Sequence, residues 1–177
     1  MKLENFMDAT ESMTREDLVK MLYTDALTLV WNRRAFDDLD HPGPMAIVDL
    51  DSLKWINEAL GHRNGDAALA ALAQVLEARF PGNVYRLGGD EFVVVAGSRE
   101  ALLAGLLLAQ GDARSVYLEN ESYTCRNAAA FSFGIGGQLD DADLMLREDK
   151  MARESVGARA CRGELPPGVA ARLRVVR

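Results

Sequence analysis

The segment Asn83–Ala96 constrains the chain more than any other. Two β-rich runs, Asn83–Leu87 and Phe92–Ala96, are separated only by Gly88-Gly89-Asp90-Glu91. A glycine pair between such runs is a strong hairpin signal, because glycine accepts the positive φ that tight hairpins demand. The turn also carries chemistry. One Asn-Gly or Asp-Gly would reverse the chain, whereas this turn sets two adjacent acids beside two glycines that leave backbone open to a ligand. A merely polar turn is the plainer reading of the same four residues.

Met45–Asp51 (MAIVDLD) is a short apolar run ending in acids. It reads as a buried central strand whose end meets solvent. Side chains alternate along a strand, so Asp49 and Asp51 share a face while Leu50 turns into the core. A helix beginning at Ser52 aims its free N–H groups back at that strand end, a ready phosphate site to which Lys54 adds positive charge. Asp51 as a helix N-cap and Asp49 as a solvated strand end is the bland alternative. If the strand and the hairpin are neighbours in a sheet, Asp49, Asp90 and Glu91 converge. Hard oxygen ligands of that kind suit Mg²⁺, held by one or two carboxylates plus substrate phosphates. Two such ions can stabilise attacking and leaving oxygens in phosphoryl or nucleotidyl transfer.

The remaining pattern supplies helices around these strands. Thr14–Asp17 resembles a capping box that opens a helix through Tyr23. A short helix over Asn32–Leu39 is broken by His41-Pro42-Gly43-Pro44. Ser52–Leu60 and Asp66–Arg79 read as helices separated by the Gly61–Gly65 turn, and Glu100–Gln110 as another. Arg114–Leu118 and Ala128–Ile135 read as strands, and Asp140–Ser155 as the last helix. The order α-α-β-α-α-β-β-α-β-β-α implies one α/β (α+β) domain, a mixed sheet covered by helices. Trp31 and Trp55 read as packing residues, and His62 as a turn residue supporting the helix that carries Asp66.

Composition narrows the function classes. The chain has 177 residues, one domain by length. Net charge is −7, yet residues 157–177 hold five arginines and one glutamate, so that tail is +4 and residues 1–156 carry −11. An acidic body argues against nucleic-acid binding through phosphates and leaves room for carboxylates around divalent cations. The longest apolar run, Ala101–Ala109, is about half of a membrane span. The polar start MKLENFMDATE does not read as a signal peptide, so a cytoplasmic address is expected. Cys125 and Cys161 stand alone, and two histidines build no multi-His metal site.

Arg86-Leu87-Gly88-Gly89-Asp90-Glu91-Phe92 resembles the signature of the GGDEF family, the diguanylate cyclases. Asp25-Ala26-Leu27-Thr28 followed by Asn32-Arg33-Arg34-Ala35-Phe36 resembles the family's opening D-x-L-T-x-L-x-N-R-R segment. Asp49–Asn57 is similar to its D-x-D-x-F-K-x-x-N stretch, Gly61–Asp66 to G-H-x-x-G-D, and Phe131–Ile135 to its S-x-G strand. The resemblance covers about residues 20–155 and divides the chain into an N-terminal helical extension (1–24), the family domain (25–156) and a basic C-terminal tail (157–177).

The resemblance implies a palm-like nucleotide-cyclase fold and the condensation of two GTP into cyclic di-GMP with release of two pyrophosphates. It implies that Asp49 and Asp90 hold Mg²⁺ or Mn²⁺, completed by the Leu50 carbonyl. Glu91 is then a further metal ligand or the group that helps deprotonate the 3′-hydroxyl. Asn57 and Asp66 fall on positions that read the guanine edge. Leu53 and Lys54 offer backbone N–H groups to the β- and γ-phosphates, Gly88-Gly89 make room for ribose and α-phosphate, and Lys150 is the phosphate lysine. One domain supplies half a site, so a homodimer is required at least during catalysis. With no sensory domain of recognisable size in the sequence, dimer formation is expected from the N-terminal helix, from substrate or from a regulatory protein partner. The absence of a sustained heptad over residues 1–24 argues against a stable coiled coil.

Four departures motivate an alternative, a catalytically silent module that binds GTP or a protein partner. Leu29 stands where the family has glycine, so that turn differs or is strained. Leu53 replaces Phe, Arg147 replaces Tyr, and Glu154 replaces an arginine for which Arg153 could substitute. A third possibility, a mixed GMP–AMP product, is opposed by Asp66, since adenine offers no donor pair for a carboxylate. The family's inhibitory R-x-x-D window reads Arg79-Phe80-Pro81-Gly82, so its aspartate is absent.

Overall fold

The computed structural model describes residues 13–51, 53–119 and 131–155. Cys125, Cys161, Ser52, residues 128–130 of the last expected strand and the 157–177 tail lie outside them.

Thr14 caps the first helix, α1 (Arg15–Tyr23), with both halves of the expected capping box: the Asp17 amide donates to Thr14 Oγ1, and the Thr14 amide to Asp17 Oδ2. A left-handed residue, Leu29 at φ 63°, then turns the chain into β1 (Trp31–Asn32). The turn keeps the shape glycine would give it, at a strain of about 1–2 kcal/mol for a side chain in that region. Asn32 Oδ1 caps α2 (Arg33–Asp38) by accepting from the Ala35 amide. After the His41–Pro44 break come β2 (Met45–Leu50), α3 (Leu53–Leu60), α4 (His62–Arg79), β3 (Val84–Gly88), β4 (Glu91–Val95), α5 (Arg99–Glu119), β5 (Phe131–Gly136) and α6 (Leu139–Ser155).

Among the described residues the strands form one mixed sheet in the order β1-β3-β4-β2-β5, parallel only between β1 and β3. β2 is paired on both edges and buried on both faces, hence its nearly continuous apolar sequence. Ala46, Val48 and Leu50 face one side with Ile56 of α3, Leu72 and Leu76 of α4, and Leu102 and Leu106 of α5. Met45 and Ile47 face the other with Ala35 and Phe36 of α2 and Ala142 and Leu146 of α6. Asp49 follows that second alternation, so it lies on the α6 side of the sheet.

α6 can lie close because β5 presents glycines to it. A Cβ on Gly134 would stand 2.1 Å from the Leu146 amide nitrogen, and one on Gly136 would stand 2.4 Å from that of Ala142.

Two expectations are corrected. Arg114–Leu118 is not a strand but the continuation of α5 to Glu119. A helix already formed gains a hydrogen bond for each added residue, and one glycine costs only about 1 kcal/mol. α4 begins at His62 rather than Asp66, because Gly61 alone makes the turn at φ 87° and accepts from the amides of Asn64 and Gly65.

Candidate active site at the β2 end

Register places the acids. Asp49 stands directly opposite Glu91 of β4 and Ser132 of β5. The Leu50 amide donates to the Asp90 carbonyl at 3.2 Å, which fastens the hairpin turn to the strand end. The strands are therefore neighbours, as convergence of Asp49, Asp90 and Glu91 required. Asp90 is half-buried and Glu91 exposed. Ser132, 1% exposed, donates from Oγ to Asp51 Oδ1 at 2.7 Å.

The electrostatics centre on Asp49. Lys150 of α6 places Nζ 2.7 Å from Asp49 Oδ1. Burial pushes the Asp49 carboxyl above the usual carboxylate range. The hydrogen bond and charge of Lys150 oppose that rise, while the like charges of Asp90 and Asp51 reinforce it. One ammonium thus leaves the cluster short of positive charge. Among the described residues no three His, Cys, Asp or Glu groups stand together as a ready ion cage. The fit to a divalent cation lies instead in the donor chemistry: a half-buried carboxylate, further acids beside it, and a lysine already supplying a counter-charge.

The turn is held open. Gly88 and Gly89 adopt φ 146° and 55°, and at neither position would a Cβ meet any atom within 4 Å. Arg86 fixes their shape. Its Nε and Nη2 donate to the Gly89 carbonyl at 3.2 and 2.7 Å, and its Nη1 donates to Asp25 Oδ1 at 2.9 Å. Thr28 donates to the same Asp25 oxygen from its amide and its hydroxyl. Burial alone would raise Asp25, but the bonds from Thr28 and Arg86 outweigh it and hold this carboxyl below the usual range. The D-x-L-T turn and the hairpin turn, 61 residues apart, are one bonded unit. The role of Arg86 was not foreseen; an arginine two residues before a glycine pair is the signal that points to it.

The α3–α4 corner holds the other set. Asn57 is half-buried on α3, and its Oδ1 lies where a Cβ on Gly65 would meet it at 2.0 Å, so only glycine admits that packing. Asp66 is exposed in the second turn of α4. Leu53 packs its side chain against the core. Lys54 is well exposed and pairs with Glu58 at 3.8 Å, so its ammonium does not face the carboxylates. Arg147 pairs with Asp143 at 2.6 Å. Arg79 ends α4 and is tied to Asp112 of α5, with Nε donating at 3.0 Å. A separate cavity of about 640 Å³ lies between α1 and the Leu29 turn, and none of Asp49, Asp90 or Glu91 lines it.

Residues 22–135 match the family model described as diguanylate cyclase, GGDEF domain. Over 117 residues the chain is 38% identical to the diguanylate cyclase DgcM of Escherichia coli (strain K12), a match covering 58% of this chain and 28% of that protein. The chain spans about a quarter of the length of the curated relatives it matches first. It superposes on the coiled coil and GGDEF domain of DgcB from Caulobacter crescentus, solved with c-di-GMP, with a TM-score of 0.63 at 22% identity, covering 84% of this chain and 94% of that one. It also matches the diguanylate cyclase SiaD of Pseudomonas aeruginosa, solved with its activator SiaC, with a TM-score of 0.58 at 20% identity, covering 85% and 67%. These two likenesses establish the palm-like cyclase fold.

Proposed function

Because the chain belongs to the GGDEF domain family, we propose that it is a diguanylate cyclase that condenses two GTP into cyclic di-GMP and releases pyrophosphate. The observation that carries this reading is the junction of β2 with the hairpin: Asp49 opposite Glu91, and Leu50 bonded to Asp90, beside an open glycine turn. Phosphoryl chemistry asks mainly for positioning and charge stabilisation; the bonded junction supports the first, and its carboxylates would supply the second through a divalent cation they hold.

In this reading Asp49, the Leu50 carbonyl, Asp90 and Glu91 hold Mg²⁺ or Mn²⁺, which when bound neutralises triphosphate charge and polarises the α-phosphate. Gly88 and Gly89 leave room for ribose and α-phosphate. The start of α3, with the backbone amides of Leu53 and Lys54, receives the β- and γ-phosphates, and Lys150 adds its ammonium. Asn57 and Asp66 read the guanine edge, where a carboxylate accepts the paired N1 and N2 donors. Glu91 takes the 3′-hydroxyl proton or joins the metal shell. The attacking hydroxyl comes from GTP on a second copy, so a homodimer forms at least in turnover.

No helix among the described residues is long and apolar enough to cross a membrane. A cytoplasmic chain that takes GTP, with no nucleic acid, and answers to a regulatory protein partner completes the proposal. The companion of SiaD supports such a partner by analogy.

Base selectivity tests the reading. Wild type should bind GTP well above ATP in the presence of Mg²⁺. Asp66→Ala should remove most of that preference, about 1–3 kcal/mol for an unpaired base edge. Equal binding of the two nucleotides by wild type would contradict it.

A further inference from the structure

We propose that Lys150 is the resident counter-cation of Asp49 in the nucleotide-free protein, closing the carboxylate site to a divalent cation that arrives without a triphosphate. The inference rests on the reading of Asp49 as a metal ligand and adds an order of events to it.

Three observations converge. Lys150 Nζ is 2.7 Å from Asp49 Oδ1, so the ammonium stands against the oxygen that a cation would need. The Asp49 carboxylate favours a counter-charge there, since its side chain is only 14% exposed and the hairpin acids Asp90 and Glu91 are held beside its strand end. The backbone that carries Lys150 is seated, because Gly134 and Gly136 let α6 lie directly on β5.

The tip of Lys150, by contrast, can move. Its side chain is 31% exposed, and a lysine ammonium is a compact charge on a flexible four-carbon stem. A divalent ion arriving alone must expel the ammonium into water and then endure its repulsion nearby. A triphosphate offers that ammonium several anionic oxygens in exchange. Lys150 thereby couples the two ligands, and by linkage each raises the affinity for the other. Asp49 is never left uncompensated, which avoids the large cost of a buried, unpaired carboxylate.

The test is Mn²⁺ binding to the full chain without nucleotide, followed by the electron paramagnetic resonance of free Mn²⁺. Lys150→Met should bind Mn²⁺ at least tenfold more tightly than wild type, and Lys150→Arg, which keeps the charge, should stay within about threefold of wild type. The unfolding midpoint gives a second readout: Lys150→Met should be destabilised in EDTA and gain more from Mn²⁺ than wild type does. Lys150→Gln repeats both measurements if the Met variant folds poorly. Equal or weaker Mn²⁺ binding by the charge-removing variants, or no binding by any form, overturns the exchange. Absence of cyclic product from GTP would instead refute the cyclase reading and leave the Mn²⁺ comparison standing.

Discussion

Replacing Arg86 by alanine should unfold this domain much more readily, because Arg86 ties the Gly89 turn to Asp25. The guanidinium makes three hydrogen bonds, two to the Gly89 carbonyl and one to Asp25. The Arg86 and Asp25 side chains are 12% and 23% exposed. Removing one partner of a buried pair costs about 3–5 kcal/mol. Thr28 still donates twice to Asp25, which puts the loss near the lower end, about 3 kcal/mol. The Gly89 carbonyl lies in an exposed turn where water can replace the donor, which adds roughly 0.5–1 kcal/mol. At about 2–4 °C per kcal/mol for a chain of this size, the melting temperature should fall by roughly 10 °C. Thermal and urea unfolding of wild type, Arg86→Ala, Asp25→Ala and the double variant would measure it. Once Arg86 is gone, the Asp25 change should cost little more, leaving a coupling of at least about 1.5 kcal/mol. A midpoint shift below about 2 °C, or an additive cycle, would refute the clamp.

Asp49→Asn should be more stable than wild type at pH 8 in EDTA. The folded-state pKa of Asp49 is raised, so its ionisation opposes folding above that value and ceases to do so below the ordinary carboxylate pKa. The difference in unfolding free energy should therefore close as the pH falls through the carboxylate range, and a difference independent of pH would contradict the assignment. Gly134→Ala would press a methyl carbon to 2.1 Å from the Leu146 amide nitrogen and 2.2 Å from the Ala142 carbonyl oxygen, both backbone atoms. It should cost about 3 kcal/mol and weaken GTP with it, as read by urea unfolding and nucleotide titration. Arg79→Ala should cost less than about 1 kcal/mol, the range of an exposed pair. With Gly82 in place of the inhibitory aspartate it should also leave the response of turnover to added cyclic di-GMP unchanged. Noncompetitive inhibition that this variant abolishes would show otherwise.

Much of the frame was legible because local chemistry and global fold agree. Thr14 and Asp17 specify a cap wherever they occur, and the Gly88-Gly89 pair specifies a turn because two consecutive positive φ angles leave no other residue comfortable there. The run Met45–Leu50 announced an interior strand because both its faces are covered. Arg114–Leu118 misled because valine and tyrosine favour strands locally, whereas the backbone of α5 simply continues. The acids could be named from the sequence, but their surroundings could not. That Asp49 faces α6, and hence Lys150, follows from strand register and from the glycines of β5. The Arg86–Asp25 pair joins segments that the parallel β1–β3 pairing helps bring together.

Turnover tests the central claim most directly. Purified chain incubated with GTP and Mg²⁺ should yield cyclic di-GMP by mass spectrometry, at a specific activity that falls as the enzyme is diluted, since each GTP needs a partner on a second copy. Asp90→Asn, folded but lacking one carboxylate of the β2–hairpin junction, should yield none. Cyclic product from Asp90→Asn at the wild-type rate, or none from wild type at any enzyme concentration, would contradict the account.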